Sequence, residues 1–150
     1  MTTFFVDTSA LGRRYIPEIG SPWVRSWIEP AAGNIIVISD LTPVEMFAVL
    51  ARRQREKSVS AADMAVAQKN VLFHVEKEYL AVGLEADVLV QARLLVSKYT
   101  LRTLDAIQLA CAIKASVSLG ESMIFVCGDN NLLVASASEG FATDIPYLHP

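Results

Sequence analysis

Cysteine is scarce in these 150 residues: there are two, Cys111 and Cys127, far apart and without a CxxC spacing. A secreted domain of this size ordinarily carries several paired cysteines, so the pattern predicts a reducing cytoplasm and no disulfide framework. No apolar run reaches the roughly 18 residues needed to span a bilayer, so no membrane role is expected. The opening residues, Met1-Thr2-Thr3-Phe4-Phe5-Val6-Asp7, lack a basic start and meet an acid too soon for a secretory signal. Positive charge in excess is missing too. With 13 Lys+Arg against 16 Asp+Glu, the net charge is −3. That excludes a protein that coats nucleic acid through bulk electrostatics, though not an enzyme with a local basic patch. Repeats, low-complexity stretches and linkers are absent, and the length suits one domain covering residues 1–150. The isolated histidines, His74 and His149, are distant in sequence from every acidic motif and are expected on the surface or in packing.

Apolar residues are plentiful, at 53%, with 19% charged. That is enough for a sizeable core and too little charge for disorder. Phe4-Phe5-Val6, Ile35-Ile36-Val37-Ile38, Tyr79-Leu80-Ala81-Val82 and Met123-Ile124-Phe125-Val126-Cys127 are short continuous apolar runs, the pattern of strands covered on both faces. A weaker fifth lies near Ala142 to Ile145. Helical spacing and start signals fill the gaps: after Ser21-Pro22, from Thr42-Pro43 to about Lys57, and from Ser60 through Val75. Further helices are expected from Leu84 to Tyr99, from Thr103 through Ile113, and from Asn130 to Ser138. Strands alternating with helices predict a three-layer α/β domain with a mostly parallel sheet, because parallel strands need the long crossovers that helices supply.

In an open α/β sheet, ligands bind at the carboxyl ends of the strands. Four acids are predicted there from four separate segments: Asp7 after the first strand, Glu45 in a helical first turn, Asp105 after Thr103, and Asp129 after the fourth strand. Carboxylates sharing one cleft raise one another's pKa, and a cation relieves the repulsion. An all-oxygen donor set favours Mg²⁺ or Mn²⁺. Such a site suits metal-activated water attacking a phosphodiester. Each acid also has a structural reading. Acids suit helix N-termini, Thr42-Pro43-Val44-Glu45 matches a capping box, and Asp129 could be an N-cap.

The motifs add a resemblance. Val6-Asp7-Thr8-Ser9-Ala10-Leu11 looks like the opening of PIN domains, where a strand ends in an acid followed by a hydroxyl residue. Leu41-Thr42-Pro43-Val44-Glu45-Met46 and Leu104-Asp105-Ala106-Ile107-Gln108-Leu109-Ala110 are similar to the segments carrying the family's second and third acids. Phe125-Val126-Cys127-Gly128-Asp129 is similar to the closing segment with the fourth. The order and size resemble the VapC subgroup of toxin–antitoxin ribonucleases.

The resemblance implies a PIN-like fold and a Mg²⁺- or Mn²⁺-dependent endoribonuclease with Asp7, Glu45, Asp105 and Asp129 as catalytic metal ligands. Thr8 or Ser9 would hydrogen-bond a metal-bound water or a phosphate oxygen. It also implies an RNA substrate, a cognate antitoxin and a homodimer. Cys127 stands where the family often has Thr or Ser, and a thiol is the poorer hydrogen-bonding group. A phosphatase or DNA nuclease on the same acids, and a catalytically silent binding module, are the competing functions.

Arg13 and Arg14 follow the first motif and are candidate contacts to RNA phosphates. Arg52, Arg53, Arg55 and Lys57 read more simply as a solvated helix end. Trp23 and Trp27, four apart, share a helix face that would either pack on the sheet or form a partner surface. Cys111 is expected to be a small buried side chain in an apolar helix.

Overall fold

The computed structural model describes residues 1–150. Five strands form one sheet: β1 (Thr3–Val6), β2 (Ile35–Ser39), β3 (Tyr79–Val82), β4 (Ile124–Val126) and β5 (Ala142–Asp144). Their spatial order is β3-β2-β1-β4-β5, and every pairing is parallel. The four apolar runs and the weaker fifth segment predicted as strands are these five, and the sheet is parallel throughout.

Seven helices make the crossovers: α1 (Thr8–Tyr15), α2 (Ser21–Ile28), α3 (Thr42–Arg55), α4 (Ala61–Lys77), α5 (Ala86–Lys98), α6 (Thr103–Leu119) and α7 (Asn130–Ser138). Alternation along the strands divides them into two layers. Phe5, Val37 and Phe125 face α5, α6 and α7, where Phe5 and Phe125 stack at 5.3 Å between ring centroids. Phe4, Val6, Ile36 and Ile38 face the other way, toward α1, α2, α3 and α4. Because side chains alternate with period two, a one-residue slip of any strand would exchange these faces. Truncating a fully buried ring such as Phe5 to alanine costs about 3–5 kcal/mol.

Helix α1 was not expected from the sequence. Its residues Thr8-Ser9-Ala10-Leu11-Gly12-Arg13-Arg14-Tyr15 carry too few apolar positions for a clear stripe, yet Asp7 caps it and Ala10 and Leu11 bury fully. The Ser21-Pro22 signal marks α2 one residue late. The N-cap is Gly20 at φ 89°, and a Cβ there would lie 2.3 Å from the Pro146 carbonyl oxygen, so glycine is required. Trp27 is buried and stacks on Phe4 at 4.3 Å. Trp23 meets Trp27 edge-on at 5.4 Å and stacks on His149 at 3.9 Å. Trp27 therefore packs on the sheet, whereas Trp23 stays partly exposed beside it. No helix is long and apolar enough to cross a membrane.

Candidate active site

The strand order reverses direction at β1. Chain connections leave it toward β2 on one side and return to β4 on the other, so the crevice beyond the carboxyl ends of β1 and β4 is the place where a doubly wound sheet binds ligands. Asp7 sits there. Its amide donates to the Val126 carbonyl at 3.0 Å, extending the β1–β4 ladder by one residue and placing the carboxyl at the sheet edge. The same residue caps α1, where Asp7 Oδ2 accepts from the Ser9 amide at 3.2 Å and from the Ser9 hydroxyl at 2.5 Å. Ser9 Oγ in turn accepts the Gly128 amide at 2.7 Å, tying the β4–α7 loop to α1.

Glu45 enters from the first turn of α3. The capping-box reading fails here. Glu45 Oε1 accepts instead from the Thr8 hydroxyl at 2.9 Å and from Gln108 Nε2 at 2.6 Å, and Leu41, not Thr42, is the cap residue. Tertiary donors reached from α1 and α6 outcompete the local backbone. Asp105, in the first turn of α6, bonds through Oδ2 to Arg102 Nε at 3.1 Å. Asp129 is the N-cap of α7: its Oδ1 accepts the Leu132 amide at 3.0 Å while Oδ2 lies 3.6 Å from Arg102 Nη2. The structural reading of Asp129 is thus correct, and its second oxygen faces Arg102, which also pairs with Asp105.

These four acids line one open cleft of about 720 Å³. Five carboxylates (Asp7, Glu18, Glu45, Asp105, Asp129) and five arginines (Arg13, Arg52, Arg53, Arg55, Arg102) border it, with no lysine. The sequence had assigned Arg52, Arg53 and Arg55 to a solvated helix end, but the last turns of α3 bring them to the rim. Arg53 is paired with Glu18, while Arg52 and Arg55 are exposed and make no ion pair. Arg102 went unnoticed in the sequence, although a cation three residues before an acid at a helix start is a visible signal.

Arg13 reaches the cleft, donating to the Ser9 carbonyl at 2.5 Å and the Ile19 carbonyl at 2.8 Å. Arg14 does not. One helical residue turns it about 100° around α1, where it bonds Glu78 at 2.7 Å and the Tyr79 hydroxyl at 2.6 Å. Arg14 is therefore withdrawn as a phosphate contact. The hydroxyls are also redirected: Thr8 and Ser9 donate to carboxylates rather than standing free for water or phosphate. Cys127 is fully buried in the core, its thiol donating to the Asp129 carbonyl at 3.3 Å and held protonated by burial, with its pKa up to about 12. It shapes the loop and does not face the cleft.

Asp7 carries the electrostatic signature of the site. Burial raises its pKa from 3.8 to about 6; the Ser9 bonds oppose the shift, and the Glu45 and Asp105 charges add to it. A carboxyl so placed ionises readily only if a cation comes near. No three acidic, histidine or cysteine side chains close into a cage. The donor set is all carboxylate oxygen, and neither Asp7 Oδ1 nor Glu45 Oε2 makes a hydrogen bond within the chain. An open oxygen site of this kind fits Mg²⁺ or Mn²⁺, which keeps several waters and shares its shell with phosphate.

A doubly wound parallel sheet with carboxylates gathered at its switch point defines an α/β fold with an acidic candidate site. The PIN domain family model matches residues 4–122, and the chain belongs to that family. Among solved structures, PAE2754 from Pyrobaculum aerophilum is similar over 98% of this chain and 91% of that one, at 20% identity and a TM-score of 0.64. Mycobacterium tuberculosis VapC20, described as a sarcin-ricin loop cleaving toxin, is similar over 98% and 99%, at 16% identity and a TM-score of 0.64. VapBC-5 of the same organism, a member of the VapBC toxin–antitoxin family, is similar over 97% and 98%, at 14% identity and a TM-score of 0.54. At these identities the likeness concerns the fold. A comparison with curated protein sequences gives no significant match.

Proposed function

We propose that this PIN domain is a divalent-metal-dependent endoribonuclease and the toxin component of a toxin–antitoxin pair. The observation that carries the reading is the meeting of Asp7, Glu45, Asp105 and Asp129, from four segments of the chain, in one arginine-rimmed cleft at the sheet's switch point. Asp7, Glu45 and Asp105 would hold the first ion, and Asp129 would help hold a second or orient water. A bound Mg²⁺ or Mn²⁺ supplies an acidified water and neutralises charge developing on the phosphate. The chain's own part is positional. Ser9 and Thr8 aim the carboxylates, Arg13 keeps the α1 end of the cleft in place, and Arg52 and Arg55 attract the RNA backbone. With five acids balanced by five arginines, the ion tips the cleft toward positive charge and so favours a polyanion.

The likeness to VapC20, a sarcin-ricin loop cleaving toxin, supports RNA as substrate, and the likeness to VapBC-5 supports an antitoxin partner. A homodimer of a single-domain chain belongs to the same reading. The test is cleavage of a pool of structured and unstructured RNAs with Mn²⁺, Mg²⁺ or EDTA, beside the Asp7→Asn protein, with DNA and a phosphomonoester as parallel substrates. Metal-dependent RNA cutting, reduced at least about 100-fold in the variant, is expected, since even second-shell changes at metal sites cost 10–100-fold. Hydrolysis of DNA or the monoester alone would replace the reading with those activities. Inertness of folded, partner-free protein toward every substrate would replace it with a silent binding module.

A further inference from the structure

Helix α6 is the most apolar of the long helices, and one of its buried residues does not belong with the rest. Gln108 is fully buried among Leu109, Ala110 and Cys111. Its Nε2 donates to Glu45 Oε1 at 2.6 Å and lies 3.3 Å from Thr42 Oγ1 and 3.4 Å from Thr8 Oγ1. Its own Oε1 is buried without a partner. An unsatisfied buried carbonyl costs about 1–3 kcal/mol, so an apolar residue of similar length would serve the helix better. The amide orientation is fixed by chemistry, because turning it over would set its carbonyl against a carboxylate oxygen at hydrogen-bond distance.

The partners are as telling as the burial. Thr8 follows Asp7, Thr42 opens the helix that carries Glu45, and Gln108 lies one turn beyond Asp105. One amide thus joins the three segments that bear three of the four acids. With the Thr8 hydroxyl at 2.9 Å, it also engages Glu45 Oε1 twice, leaving Oε2 as the oxygen open to the cleft.

We propose that Gln108 is a positioning residue: it pins Glu45 Oε1 so that Oε2 alone is presented to the divalent ion. The proposal rests on the metal-dependent reading above. Its test is Mn²⁺ binding to the metal-free protein, followed by the paramagnetic resonance of free Mn²⁺, together with melting temperature and RNA kinetics. Gln108→Met keeps the length and apolar packing and removes the amide. The expected result is a melting temperature equal to or above the wild type, Mn²⁺ affinity weakened about tenfold or more, a parallel fall in kcat, and an unchanged KM. A merely structural amide would do the reverse, lowering the melting temperature and leaving Mn²⁺ affinity intact.

Gln108→Glu, the same shape with the donor turned acceptor, should weaken Mn²⁺ binding at least as much. Affinity within twofold of the wild type in both variants overturns the role while leaving the nuclease reading in place. Unfolding of both overturns it as well, since the amide is then a structural requirement. If the wild type binds no Mn²⁺, the metal-dependent reading and this role fall together.

Discussion

Arg13 and Arg14 are neighbours in sequence, and they enter two polar clusters of opposite character on the two sides of α1. On Arg14's side every strong group has a partner. Arg14 pairs with Glu78 at 2.7 Å and with the Tyr79 hydroxyl at 2.6 Å, and the Tyr15 hydroxyl meets Tyr79 at 2.8 Å and His74 Nδ1 at 2.7 Å. On Arg13's side carboxylates face one another, Asp7 is pushed up to about 6, and oxygens stand without donors. A satisfied network stabilises the fold, whereas a cluster of like charges destabilises it and persists where a ligand completes it. The contrast separates structure from function on a helix of eight residues.

The sharpest way to break the contrast is to open the closed cluster. The Arg14 and Glu78 side chains are 8% and 15% exposed, so Arg14→Ala strands a mostly buried carboxylate and should cost about 3 kcal/mol in chemical denaturation. Cleavage per folded molecule should hold, and a large loss of it would place Arg14 in the substrate path after all.

The opposite sign is expected at Asp7. Its folded pKa lies above the unfolded value, so its ionisation opposes folding. The stability it contributes is complete below about pH 4 and lost as pH rises through about 6. Asp7→Asn should therefore stabilise the metal-free protein at pH 8 by about 2 kcal/mol, or roughly 5 °C in melting temperature, with no gain at pH 3.5. A variant that melts below the wild type at pH 8 would contradict the electrostatic account. The same pKa means that protons compete with the ion for Asp7, so Mn²⁺ affinity should fall as pH drops below about 6.

The smallest effect on stability is expected at the rim. Charge reversal of exposed Arg52 and Arg55 should change folding by no more than about 0.5 kcal/mol. KM for RNA should rise several-fold, an effect that weakens as salt is added. An unchanged KM would return these two to the solvated helix end that the sequence suggested.

The contrast also explains what could be read before the fold was known. Four of the strands were legible because each holds a continuous apolar run, and both layers follow from their alternation. The acids were legible as residues at strand ends and helix starts, and the fold brings all four to one cleft. What stayed hidden depends on direction. Arg13 and Arg14 are equivalent in a sequence, and a turn of one residue on a helix sends them to different clusters. Glu45 satisfied a local capping template, and only the tertiary fold gives it better donors, from Thr8 of α1 and Gln108 of α6. Gln108 was visible as a polar residue in an apolar helix, but nothing local says that its amide points at an acid 63 positions away. Helix α1 was hidden because its length and apolar content are small, and its start is fixed by Asp7, a residue read for its chemistry alone.

The β1–β4 pairing carries a consequence in time. It sets Phe4 beside Ile124, across nearly the whole intervening chain. Asp7 and Glu45 emerge early during synthesis, but the loop that carries Asp129, and the Gly128 amide that anchors Ser9, arrive only after β4 has been made and has found the central strand. Closing so long a loop is among the last steps in folding such a sheet. A growing chain therefore holds an incomplete acidic cleft until β4 has been made and paired with β1.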